Sequence, residues 1–156
     1  MKELNLPAFS CNLKKSSSGQ KLIYDRLRGR YVVLTPEEWV RQHFINWLTE
    51  YKGFPSGLLA SEVTFRFNDL VRRVDIMAYS RTGNPVMIVE CKSPDIKTDK
   101  KVFDQIAEYN MKFRLGFLIV TNGIDHFACR IDWENRSYSF LKEIPDYELL
   151  IKLAGE

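Results

Sequence analysis

Three residues in the middle of the chain have the types and spacing to do chemistry: Asp75, Glu90 and Lys92. Val86-Met87-Ile88-Val89 runs straight into Glu90-Cys91-Lys92 and is opened by Gly83-Asn84-Pro85, so it reads as a buried central strand. Side chains alternate along a strand, which puts Glu90 and Lys92 on one face and Cys91 on the other. A charged pair at the end of an apolar strand is costly to bury. Two carboxylates from adjacent strands, Asp75 and Glu90, suit Mg²⁺, which takes hard oxygen ligands and keeps several waters. A lysine two positions from the second carboxylate can orient or help deprotonate a metal-bound water, whose pKa the ion lowers. This is the residue set needed for metal-assisted phosphodiester hydrolysis. Each part also has a plainer meaning. Asp75 alone is an ordinary strand-end residue, and an exposed Glu90–Lys92 pair would contribute only about 0–1 kcal/mol.

The elements that must position these residues are legible in outline. Thr35-Pro36-Glu37-Glu38 is a helix start: Thr35 is a good N-cap, Pro36 suits the first turn, and Glu38 lies three residues after the cap. The helix should run to about residue 49, with Val40, Phe44, Trp47 and Tyr51 on one apolar face and Leu48 at its edge. Its 3.6 periodicity places Glu37 near that face and Glu38 away from it. Glu62 to Phe67 and Arg72 to Tyr79 read as two strands joined through Asn68-Asp69, the second with Val74, Ile76 and Ala78 on one face and Asp75, Met77 and Tyr79 on the other. An antiparallel meander of these with the central strand brings Asp75 toward Glu90.

After the break at Ser93-Pro94-Asp95, residues 100–114 read as a helix with Val102, Ile106, Tyr109 and Phe113 inward; Gln105 and Tyr109, four apart, share a side. Gly116 to Thr121, His126 to Ile131 and Ser137 to Leu141 read as further strands. A helix over 145–154 follows. Upstream, Leu22-Ile23-Tyr24 and Tyr31 to Leu34 suggest a hairpin, after an irregular lead-in over 1–19. The expected architecture is one α/β domain, with a core over 20–141 built on a central mixed sheet flanked by helices.

Composition sets the bounds. The chain has 156 residues, enough for one domain with a real core, and a charge of +3, which permits a polyanionic partner without requiring one. Three widely spaced cysteines, Cys11, Cys91 and Cys129, look like reduced thiols, and no secretory signal or 18-residue apolar run is present, so a cytoplasmic protein without a membrane span is expected. His43 and His126 have no third ligand nearby and read as structural. Arg72, Arg73, Lys97, Lys100, Lys101, Lys112 and Arg114 bracket the candidate site and could neutralise phosphates, with a solvated charged surface as the alternative.

Taken together, Asp75, the Glu90-x-Lys92 element and the acidic helix before them resemble the PD-(D/E)XK nuclease superfamily, although Val74 stands where its proline would precede the aspartate. Gln105-x-x-x-Tyr109 looks like the QxxxY element of its helicase-linked members. Thr35 to Gln42, Val89 to Pro94, Phe103 to Asn110 and Val120 to Gly123, in that order, are similar to the N-terminal nuclease domain of type I restriction enzyme motor subunits. The resemblance implies a restriction-endonuclease-like αβββαβ core and a Mg²⁺-dependent DNA endonuclease, with Mn²⁺ able to substitute. It further implies that Asp75, Glu90 and the Cys91 backbone carbonyl bind the ion, that Glu37 binds it directly or through water, and that Lys92 serves the attacking water. Gln105 and Tyr109 would position that site or the DNA backbone.

Motor and specificity subunits would be partners, and double-strand cleavage from one centre would favour a homodimer. No Walker A signature occurs, so the sequence reads as a nuclease-like domain without its motor. Two alternatives stay open: a non-catalytic DNA-binding or assembly module, and a nuclease for branched DNA or RNA on the same fold.

Overall fold

The computed structural model describes residues 1–156. Its centre is a six-stranded sheet in sequential order: β4 (Leu59–Phe67), β5 (Leu70–Tyr79), β6 (Pro85–Cys91), β7 (Phe117–Thr121), β8 (His126–Asp132) and β9 (Ser137–Phe140). Every neighbouring pair is antiparallel except β6 with β7, whose parallel pairing requires a crossover. Helix α2 (Lys100–Met111) makes that crossover. Helices α1 (Pro36–Tyr51) and α3 (Tyr147–Ala154) cover the opposite face. The fold is therefore α/β, a mixed sheet flanked by helices, as expected. No helix is long and apolar enough to cross a membrane.

The buried side chains form two clusters, one on each face of this sheet. Val40, Phe44, Ile45 and Leu48 of α1 meet Ile76, Ala78, Met87, Val89 and Cys91 on one face, together with Tyr147, Leu150 and Ile151. Phe103 and Ala107 of α2 meet Val74, Met77, Ile88, Leu118 and Val120 on the other. The strictly alternating reading of β5 fails at one point. Val74 packs with Met77, not with Ile76 and Ala78. The cause lies opposite: Glu62 has φ +54°, and the β4–β5 ladder is interrupted between the Ser61–Ile76 and Val63–Val74 pairs. The outer arm of the hairpin turns there and wraps toward α2, where Phe65 meets Phe113 at a tilt and Arg72 reaches Asn110.

The helix phases are also corrected. Along α2 the buried stripe is Phe103, Ala107 and Asn110, while Tyr109 is exposed. Phe103 is the larger anchor, and Asn110 is drawn inward as the partner of Arg72. Helix α1 is buried on nearly every side, because more than the main sheet covers it. The lead-in is not wholly irregular: β1 (Leu13–Lys15) joins β2 (Lys21–Asp25) and β3 (Arg30–Val33) in a second, antiparallel sheet. The expected hairpin is its β2–β3 half. Leu4, Leu6 and Leu27 pack on the α1 cluster, and Trp39 donates to the Lys2 carbonyl. A helix covered twice has no single apolar stripe from which its phase can be read. The outcome is that Glu37 is exposed and Glu38 is buried, the reverse of the periodicity argument.

Candidate active site

The carboxyl end of β6, where it lies beside the middle of β5, assembles the site. The β5–β6 ladder ends at the Ile76–Val89 pair, so Asp75 and Glu90 form the next rung. There the strands part, and the Asp75 carboxyl is close enough for its charge to act on Glu90. Asp75 Oδ2 accepts from the Cys91 backbone N–H at 2.7 Å, and its Oδ1 accepts from Arg41 at 2.8 Å. Glu90 accepts from Arg72, whose guanidinium also bonds Asn110 and lies 5.3 Å from the centre of the Tyr109 ring. Burial raises the Glu90 carboxyl above its ordinary pKa; Asp75 beside it adds to the rise, while Arg72 and Lys92 oppose it. Lys92 is half-buried, close enough for its charge to act on Glu90, and makes no ion pair of its own.

Behind Asp75 runs a chain of ion pairs linking four elements. Arg41 bonds Glu38 at 2.9 Å and Glu62 at 2.6 Å as well as Asp75. Glu38 takes a second bond at 2.7 Å from Arg28, which bonds the fully buried Asp25, and Ser61 donates to Asp25 in turn. Helix α1 starts where it does because Thr35 accepts from the Glu38 N–H at 3.0 Å. Burial lifts the Glu38 carboxyl in spite of Arg41 and Arg28, and Asp25 adds to the lift. Two acids with raised pKa are thus tied to Asp75: Glu90 beside it, and Glu38 through Arg41.

The expected site residues divide. Asp75, Glu90, Cys91 and Lys92 come together at one end of β5 and β6. Tyr109 borders them through Arg72. Gln105 is exposed and bonds neither carboxylate. Glu37 points away, and Glu38 occupies the inward position expected of it. Arg72 is buried and committed to Glu90 and Asn110, so it is not a surface phosphate contact. Arg73 is exposed and paired with Glu62, and Lys100 with Asp104, whereas Lys97 and Lys101 are exposed without an ion pair. Both histidines are hydrogen-bonded into the fold, His43 to the Trp39 carbonyl and His126 to Thr121 and the Asn5 carbonyl.

Sequence reasoning missed Arg41, Glu62, Asn110 and the Asp25–Arg28 pair. One signal was available: Glu38 and Arg41 are three apart on a helix, the spacing of an ion pair.

The donor set at Asp75 and Glu90 is of the kind that suits a hard cation. Two neighbouring carboxyl groups are offset by one backbone N–H, two guanidinium groups and the Lys92 ammonium. No third Asp, Glu, His or Cys side chain closes a cage. Mg²⁺ is commonly held in this way, by one or two carboxylates with water and substrate phosphate completing the shell.

Residues 36–145 match the family described as Type I restriction enzyme R protein N terminus. The chain belongs to that family. In fold, this R-protein N-terminal domain is similar to a fragment described as that of a putative HsdR subunit of a type I restriction enzyme from Vibrio vulnificus YJ016, with a TM-score of 0.54 and 21% identity over 78% of the chain. The chain spans about a quarter (26%) of that structure. No curated protein matches the sequence. The restriction-endonuclease-like fold expected from the motifs is thus the fold observed, and the family is the one that they resemble.

Proposed function

We propose that this R-protein N-terminal domain is a Mg²⁺-dependent DNA endonuclease centre of the restriction type, in which Mn²⁺ can substitute. One observation carries the reading: Asp75, midway along β5, and Glu90, near the carboxyl end of β6, fall where the two strands part, with Lys92 beside them. Asp75, Glu90 and the Cys91 carbonyl would hold the ion, which supplies a bound water of lowered pKa and offsets charge on the scissile phosphate. Lys92 would orient the attacking water and offset negative charge on the phosphate through its Nζ ammonium. The Cys91 N–H and Arg41 hold Asp75 from behind, and Arg72, seated beside the Tyr109 ring, holds Glu90. Motor and specificity subunits of a type I restriction complex are the proposed partners.

The test is supercoiled plasmid with Mg²⁺ or Mn²⁺. Nicking by the native chain should fall about a hundredfold or more in Asp75→Ala and Lys92→Ala, the scale on which positioned proton transfer acts. Nicking that survives both changes refutes the assignment. A second reading has its own support, because Asp75 and Glu90 already have arginine partners. On that reading the domain binds DNA and assembles with partners without cutting, and salt-sensitive binding with no nicking under any divalent ion identifies it.

A further inference from the structure

Positive charge is segregated in this molecule. Residues 10–34 hold six basic residues (Lys14, Lys15, Lys21, Arg26, Arg28 and Arg30) and one acid, Asp25. They carry +5, whereas the whole chain carries +3, so the remainder is at −2. This stretch is the β1–β3 sheet, far in sequence from the basic residues that bracket the catalytic strands. The one acid is fully buried and taken by Arg28. Arg26 pairs with Glu50. Lys14, Lys15, Lys21 and Arg30 are exposed and belong to none of the chain's ion pairs.

Two further features say what this sheet is for. Lys15 and Lys21 lie directly opposite each other on adjacent strands. Like charges at that position destabilise a sheet unless an anion offsets them. The same two lysines, with Lys14, line a cleft of about 460 Å³ floored by Leu34 and Trp39. On the sheet, Tyr24 and Tyr31 pair edge to face at 5.2 Å, with the Lys14 ammonium 3.9 Å from the centre of the Tyr31 ring. A cleft in which three uncompensated lysines stand over apolar Met1, Leu13, Leu34 and Trp39 matches a phosphodiester backbone, whose phosphates the ammonium groups neutralise.

We propose that the β1–β3 sheet is a second DNA contact, a sequence-independent backbone clamp centred on Lys14, Lys15, Lys21 and Arg30. It rests on the reading that DNA is the substrate, and it does not need the catalytic carboxylates. The clamp is tied to the centre, because Arg28 in the β2–β3 turn bonds Glu38 and so connects through Arg41 to Asp75. It gives the domain grip on the duplex outside the cutting site.

The experiment is fluorescence anisotropy of the full chain with a labelled duplex of about two helical turns in EDTA, where no cleavage can occur. Lys15→Glu/Lys21→Glu/Arg30→Glu should weaken binding at least tenfold at about 0.1 M salt. It should also flatten the slope of log K against log salt by about 0.9 for each phosphate that the variant no longer neutralises. A second variant, Lys14→Gln/Lys15→Gln/Lys21→Gln, should show a smaller loss in the same direction, and circular dichroism verifies that both are folded. A charge-reversal control away from the sheet, Lys142→Glu/Lys152→Glu, should leave affinity within twofold.

Equal weakening by the control, or no weakening in either lysine-cleft variant, overturns the clamp. The catalytic reading fails separately: a native chain that binds through these lysines but never nicks keeps the clamp and loses the nuclease.

Discussion

At the scale of single residues, Arg41 is the side chain on which the site's geometry turns. It is buried and shared by Glu38, Glu62 and Asp75. Burying a guanidinium is unfavourable by itself, and burial alone lowers its pKa; its acidic neighbours, Glu38 and Asp75 foremost, together more than reverse that shift. Removing one partner of a buried ion pair strands the others, at a cost of about 3–5 kcal/mol. Arg41→Ala should therefore lose roughly 3 kcal/mol or more in urea unfolding, whereas Arg41→Lys should lose less, because the charge survives without the fork.

Asp25 gives a pH dependence. Burial raises its carboxyl, but bonds from Arg28 and Ser61 outweigh burial and leave its pKa below the ordinary 3.8. A lowered folded pKa gives stability that is present above the unfolded value and lost as pH falls through the folded one. Acid unfolding followed by tryptophan fluorescence should show this loss below about pH 4. Asp25→Asn should flatten it.

At the scale of elements, caps and turns set the phases on which the site depends. Thr35 caps α1 by accepting from the Glu38 N–H, and Arg28 and Arg41 then hold the Glu38 carboxyl in the interior. Thr35→Ala should cost about 1 kcal/mol in chemical denaturation. Gly123, between β7 and β8, is the tightest glycine in the fold. Its φ is +84°, and an added Cβ would stand 2.7 Å from Leu4 Cδ2 and 3.1 Å from Val40 Cγ2. The Asn5 N–H also donates to its carbonyl at 2.8 Å. Gly123→Ala combines left-handed strain with a clash, so we expect a loss of about 1–3 kcal/mol and faster proteolytic cleavage within residues 1–10, read by mass spectrometry.

Element existence was largely legible, because apolar runs and caps are local signals. Phase was not, because Glu38 and Asn110 are buried by partners distant in the chain, Arg28 and Arg72.

At the scale of the whole molecule, one chain holds one Asp75–Glu90 dyad. A single centre cuts one strand per encounter, so plasmid should pass from supercoiled to open circle before linear product appears. Linear product appearing first on an agarose gel would mean that two copies act together. The small basic sheet and the large central sheet are joined through the Asp25–Arg28–Glu38–Arg41–Asp75 chain, which runs from one to the other by way of α1. Damage at Asp25 should therefore be felt at the site more than its distance in sequence suggests.

The sequence by itself determined the order of elements, the Asp75–Glu90 pairing on the central meander and the family. These follow from periodicity, turn residues and short motifs that act within a few positions of one another. Only the tertiary structure decided which glutamate of α1 turns inward, that Arg72 serves Glu90 instead of the surface, and that the lead-in folds into a basic sheet. Each of those outcomes depends on partners beyond the reach of a local motif. Burial and charge pairing across such separations are properties of the packed chain, invisible to any local pattern.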